Sequence, residues 1–237
     1  MKTDKKYKLT NETILVNGII LYRIKALKDF SNVKKGDKGG FVESENNLSH
    51  EDNCWIYDNA RVFENAKVYG NARVYYNPKI YGHAIVGGDA YVYGSAKVRG
   101  AAIVSDKAKV YGNAMIYGNA MIYGDAVICA NARVYGEAEI KGDAKISNCS
   151  DYIVFKNWWS SGRYFTWTRS NNMWAVGCFY GTGEELITKA YKDSELSGRE
   201  YKKVVKYVKS ILKDSNTTTI LNKIKQYLVK FTEKLSS

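Results

Sequence analysis

Along the middle of the chain, apolar and polar positions recur with a period that belongs to neither an α-helix nor an ordinary strand. From Ala60 to Ala144 every sixth residue is Ala, with Pro78 the one exception among fifteen units, and no insertion or deletion interrupts the count. Two residues after each of these positions stands Val or Ile, from Val62 through to Ile146. Four residues after them Gly fills ten of the fifteen places, usually followed by Asn or Asp, so the unit reads Ala-x-Val-Tyr-Gly-Asn. Ala and Val two apart share one side of an extended segment, and Gly-Asn makes a corner where positive φ costs little. A segment this short cannot bury its own apolar side, so successive units must stack. Three sides close a coil of eighteen residues, and fifteen units give five coils standing roughly 24 Å tall at the usual strand spacing. A strict six-residue period excludes an amphipathic helix, whose period is about 3.6.

The flanks read differently. Within residues 1–47, Ile14 to Leu21 with Asn17-Gly18 at its centre predicts a β-hairpin that caps the open end of the stack, where unpaired backbone invites chain-to-chain pairing. The repeat domain runs over 48–149, with Leu48 and Cys54 continuing the Ala positions upstream in degraded form. Residues 150–237 form a C-terminal module. Tyr152–Phe155, Arg163–Arg169 and Met173–Tyr180 predict a three-stranded sheet, and Trp158, Trp159, Trp167 and Trp174 in it form either a core or a binding pocket. A short helix starts at Gly183. A second runs from Ser197 or Gly198 to about Lys213, with Tyr201, Val204, Val205, Val208, Ile211 and Leu212 on one face. A last helix from about Thr218 carries Ile220, Leu221, Ile224, Leu228, Phe231 and Leu235, a stripe suited to docking or modest self-association. The expected fold is mainly β: a parallel β-helix with an N-terminal hairpin cap and a small C-terminal α+β module.

The Ala-x-Val-Tyr-Gly-Asn series resembles that of the hexapeptide-repeat left-handed parallel β-helix proteins, many of which are acyltransferases. The resemblance covers residues 48–149; it implies a left-handed triangular prism, and in the wider family a trimer packed side to side. Tyr22 to Ser49 resembles a lead-in to such repeats in bacterial and phage proteins, and carries no assigned chemistry. Acyltransferases of this family place a catalytic His near a subunit boundary, with a loop leaving the coil; residues 60–149 contain no such loop.

Charge adds one qualification. The chain has a net charge of +12, which suggests nucleic acid until it is divided. Residues 1–47 hold 10 basic and 6 acidic side chains, 48–150 hold 11 and 10, 151–185 hold 3 and 3, and 186–237 hold 12 and 5. The repeat is nearly neutral and the excess sits at the two ends, most of it on the C-terminal helices. With no long apolar run and no apolar leader segment near Met1, the expectation is a cytoplasmic protein without membrane attachment. Cys54, Cys129, Cys149 and Cys178 are widely spaced and read as isolated reduced thiols rather than a zinc site.

Candidate chemistry lies on the outward columns. Side one presents Arg61, Lys79, Lys97, Met115 and Arg133 beside Phe63, Tyr81, Arg99, Tyr117 and Tyr135, a basic stripe interleaved with aromatics. Side two carries Ile85, Ile103 and Met121 beside Gly87 and Ser105, an apolar strip expected to be covered by the C-terminal helices or a neighbouring subunit. Side three aligns Tyr75, Tyr93 and Tyr111 as a stabilising ladder. His83 occupies a corner otherwise held by Asn, and His50 lies beside Glu51 and Asp52 with nothing else converging on it. No nucleotide, metal or cofactor motif is present. These features lead to the expectation of a non-enzymatic interaction protein without cofactor. Its partner is macromolecular, a protein or a protein–nucleic-acid complex, and it forms a homo-oligomer, dimer or trimer. The phage resemblance implies a host-directed role such as blocking a CRISPR-type defence complex. The alternatives are an acyl-CoA-dependent acyltransferase using His83 or His50, and a nucleic-acid binder using side one or the terminal helices.

Overall fold

The structure is a computed structural model that describes residues 5–213. The described residues divide into two compact units: one holds 5–158 together with Gly162–Tyr180, the other holds Trp159–Ser161 and 181–213. Among the described residues no helix is long and apolar enough to cross a membrane.

The first unit is a three-sided parallel β-solenoid. Its sides are dipeptide strands such as Arg61–Val62 and Lys79–Ile80, each pairing in parallel with the dipeptide eighteen positions on. The Ala column and the Val/Ile column are buried at every level from Ala60 to Ile146. The six-residue spacing thus specifies both what is inside and what stacks on what, since a slip of one residue would turn the β-branched side chains outward. Outside the paired dipeptides, the amide of one coil donates to a carbonyl of the next, as from Asn71 to Gly88 O at 2.8 Å and from Ala101 to Gly118 O at 2.8 Å.

The corners are tight. At Gly100, φ is +71° and an added Cβ would lie 2.9 Å from the amide and carbonyl of Gly118 in the next coil. Asp58, Glu64 and Asp106 occupy equivalent corners with positive φ, and each directs a carboxylate oxygen to the amide above it, on Tyr76, Gly82 and Gly124. Ala130 also has positive φ, and the position eighteen residues on, Asn148, is extended at φ of -136°.

Two expectations about the start of the stack need correction. The strand Lys38–Val42 (β3) pairs in parallel with Arg61–Val62, so the coils begin upstream of residue 48. Leu48 bridges Val68 rather than an Ala, which puts it in the Val column, twenty residues from its partner. The next pairing, Trp55 with Arg73, is back to eighteen, so two extra residues are absorbed in the corner between Leu48 and Trp55. The strands Tyr7–Val16 (β1) and Ile19–Ala26 (β2) form the expected hairpin, with Asn17 and Gly18 both at positive φ. β2 pairs antiparallel with β3, which extends side one to eight strands.

Beyond the repeat, a sheet of four strands and not three follows: Tyr152–Lys156, Tyr164–Thr168, Met173–Val176 and Phe179–Gly181. The expected third strand is broken at Gly177, whose φ of +56° turns the chain back on itself. The helix Gly183–Asp193 (α1) is started by Thr182, which accepts the Glu185 amide while the Glu185 carboxylate accepts the Thr182 amide. Residues 195–213 are helical, with Tyr201, Val205 and Val208 buried. The expected last helix, Ile220 to Leu235, lies outside the described residues.

The close stacking of corners sets an order of mutational cost. Gly100→Ala should lower stability by about 3 kcal/mol, combining φ strain with a clash against the next coil. Gly136→Ala, where nothing lies within 4 Å of the added methyl, should cost only about 1 kcal/mol. Chemical denaturation of both variants checks the difference, and equal losses would contradict the stacking.

Candidate interaction surfaces

The ends of the solenoid are closed by side chains that take up unpaired backbone groups of the outermost coils. At the N-terminal end, first-coil carbonyls lack an amide from a preceding coil, and donors fill the gap. Lys6, 1% exposed, places Nζ 3.0 Å from the carbonyl oxygens of Glu51 and Cys54. Burial pulls its pKa down, while the adjacent Cys54 sulfur and Asp52 oppose the shift. Tyr7 donates to Leu48 O at 2.8 Å, and the buried Asn47 amide group donates to Glu64 O and Ala66 O at 2.9 Å each. At the C-terminal end the Tyr152 hydroxyl donates to Arg133 O at 3.1 Å, and acceptors meet the amides left over. The Glu139 amide donates to Thr166 Oγ1 at 2.9 Å, the Lys145 amide to Ser170 Oγ at 2.7 Å, and the Ser147 and Asn148 amides share Asp151 Oδ2. The four-stranded sheet therefore supplies the lid of the last coil.

Both imidazoles belong to this framework. His50 Nδ1 accepts the Lys6 amide at 3.3 Å, and its ring stacks on Tyr7 at 4.2 Å. Its Nε2 lies 3.7 Å from Glu45, whose carboxylate is paired with Lys5. His50 lines a groove of about 820 Å³ with Glu43, Glu64 and Tyr69. Glu43 and Glu64 there each accept a backbone amide, from Glu64 and Gly82. His83 is exposed at its corner, and its backbone amide donates to Gly100 O.

On side one, Arg61, Lys79, Lys97, Met115 and Arg133 pair in register as expected from the spacing. The neighbouring column stacks in two runs. Phe63 lies on Tyr81 at 5.1 Å, Arg99 sits over Tyr117 at 4.8 Å, and Tyr117 lies on Tyr135 at 5.1 Å. One half of this stripe is not open. Val16 and Leu21 of the hairpin pack with Phe41 and Phe63, and Ile14, Ile19 and Tyr81 join them, leaving Phe63 1% exposed. The accessible part is Arg99, Tyr117 and Tyr135, the last 49% exposed, flanked by Lys97 and Arg133. The same hairpin exposes Leu15 and Ile20, cross-strand partners on its outer face. Apolar residues at successive positions 14–16 were the sequence signal for a hairpin apolar on both faces.

On side two, Ile85, Ile103 and Met121 pair in register and are half-buried. The strip is partly covered from within, because the Tyr69 ring lies where a Cβ on Gly87 would be and the Tyr123 hydroxyl reaches Met121 Sδ at 3.3 Å. The four tryptophans do not converge. Trp167 and Trp174 are cross-strand partners buried in the small sheet, Trp158 is 75% exposed, and Trp159 packs edge-on against Tyr201 in the second unit.

Side three departs from the expected ladder. Tyr57 stacks on Tyr75 at 4.3 Å and Tyr93 on Tyr111 at 4.8 Å, so the column splits into two pairs. Tyr75 runs instead parallel to Tyr91 at 6.5 Å. A hollow of about 470 Å³ opens there, lined by Tyr75, Tyr76, Tyr91, Tyr93 and Lys109. Spacing gives the column of each tyrosine but not its rotamer, so the split was not visible in the sequence.

Burial lowers the His50 pKa, with Glu45 opposing. The unfolded chain therefore takes up a proton at this site before the folded one does, and stability is lost as pH falls through the ordinary histidine range and on toward the folded value. Melting temperature measured between neutral and mildly acid pH should fall more for the parent than for His50→Gln; parallel curves would show that the imidazole is not buried this way.

Against known proteins, a family model described as YdcK beta solenoid repeat matches residues 116–130. A search of the curated proteins gives no match. What the comparison supports is a repeat β-solenoid, in agreement with the coils described above.

Proposed function

We propose that the chain is a non-enzymatic scaffold of the hexapeptide-repeat type, which presents side one to a macromolecular partner. The supporting observation is the unbroken stack of Arg99, Tyr117 and Tyr135 between Lys97 and Arg133. Tyr and Arg are the residues that anchor protein interfaces, because they bring large contact area with few rotatable bonds and a polar end. Here the stacking fixes them before any partner arrives, which lowers the ordering cost of association. The exposed Leu15 and Ile20 offer an apolar contact on the hairpin, suited to a homo-oligomer. A narrower form of the reading is a phage-encoded protein in the cytoplasm that blocks a host defence complex; it rests on the resemblance of the Tyr22–Ser49 lead-in.

The acyltransferase reading has less support. His50 is enclosed among capping groups, and His83 is exposed at its corner. Pull-down from a bacterial lysate with mass spectrometry should recover a reproducible protein partner with the parent chain. Arg99→Ala combined with Tyr135→Ala should reduce its recovery about ten-fold or more while leaving the melting temperature nearly unchanged. Recovery unaffected by the double variant would refute the assignment to side one. A thermal shift with acetyl-CoA, lost in His83→Ala or His50→Gln, would favour the enzyme.

A further inference from the structure

The hollow on side three coincides with two departures from the repeat. Tyr76 stands where ten of fifteen units have Gly, and Pro78 stands where every other unit has Ala. Tyr76 has φ of +66°, a conformation that an aromatic residue adopts only under strain. It is also an interior corner. At the equivalent Gly82 and Gly94, an added Cβ would lie 3.0 Å from the backbone of the following coil. Asp58, Glu64 and Asp106 tolerate such corners by bonding the amide above, and a phenol ring cannot turn back to that amide. The Tyr76 ring is 60% exposed, and among the described residues no hydrogen bond or ring contact holds it. Strain of this kind, offset only by backbone bonds such as that of the Tyr76 amide to Asp58, points to a binding role for the ring.

The chemistry of the surroundings narrows the ligand. The outward strand positions of side three carry Arg73, Lys109 and Lys145 and no carboxylate. Arg73 lies over the Tyr91 ring at 5.9 Å, and Lys109 pairs with Tyr91 from the coil beyond. The nearest corner carboxylates are engaged, Asp58 by the Tyr76 amide and Asp89 by Asn71. Four phenol rings flanked by cations one coil to either side form a stacking platform within reach of phosphates. We propose that this hollow receives a base of a single-stranded nucleic acid, stacked among Tyr75, Tyr76, Tyr91 and Tyr93, with the adjoining phosphates at Arg73 and Lys109. The site is on a different face from side one and does not depend on the function proposed for it.

The test uses the full chain with short fluorescein-labelled oligo-dT and oligo-U, read by anisotropy over a salt series. Tyr76→Gly restores the commonest corner residue and should melt at or above the parent temperature, yet bind about ten-fold more weakly. Lys109→Ala should weaken binding and reduce the salt dependence by about one counterion. An unchanged affinity in Tyr76→Gly would overturn the proposal and assign any binding to side one or the basic C-terminal segment. Absence of binding to either oligonucleotide at low salt would overturn it too, whether or not an aromatic peptide occupies the hollow.

Discussion

The constraint on which this protein depends is that each coil must lie directly on the one before it. Parallel pairing at an interval of eighteen brings Ala over Ala, except next to Pro78, and Val or Ile over Val or Ile from Val62 onward. A methyl too many would have to be accommodated against a backbone about 4.8 Å away. The corners are under the same rule, since there backbone sits on backbone and at most interior glycines a Cβ would press on the next coil. Outward positions are exempt, which is why one column can hold Arg61, Lys79, Lys97, Met115 and Arg133 on a single uniform framework.

That division explains how much could be read from the sequence. The inward columns are periodic because packing makes them so, and the period alone gave the coil, its three sides and the pairing of every dipeptide from Arg61 onward. Where the period lapses, so does the reading. Leu48 fits the count of six yet occupies the Val column, because two extra residues around His50 and Asp52 swell one corner. Gly177 divides what reads as one strand, and only its positive φ reveals the turn. Lys6 looks like one more basic residue near Met1, although its ammonium group is buried against first-coil carbonyls.

The outward surfaces were legible as composition and not as geometry. Spacing assigned Phe63 and Tyr81 to a binding stripe together with Tyr117 and Tyr135, but the hairpin folds over the first two. Whether it would do so depends on the apolar inner face of the hairpin, Ile14, Val16, Ile19 and Leu21, finding the nearest aromatic surface. Side three was read as one ladder because its tyrosines recur at the right interval. Their rings choose partners by local packing, and Tyr93 turns toward Tyr111 rather than Tyr75. The positions that mattered there, Tyr76 and Pro78, were visible as exceptions to the repeat. Their meaning came only with the φ angle and the space beside them.

The two capped ends bear on assembly in the same physical terms. A stack of parallel coils has unpaired amides and carbonyls at both ends, so an uncapped solenoid is a template for head-to-tail growth into a fibre. Here the acceptors at one end are taken by Lys6, Tyr7 and Asn47, and the donors at the other by Thr166, Ser170 and Asp151. A second copy could join only by displacing a buried ammonium group from its carbonyl ligands, which leaves both sets of polar groups without partners during the exchange. Association through the ends is therefore costly. The broad sides beyond the hairpin keep aromatic rings and cations in fixed stacks that no such exchange would disturb.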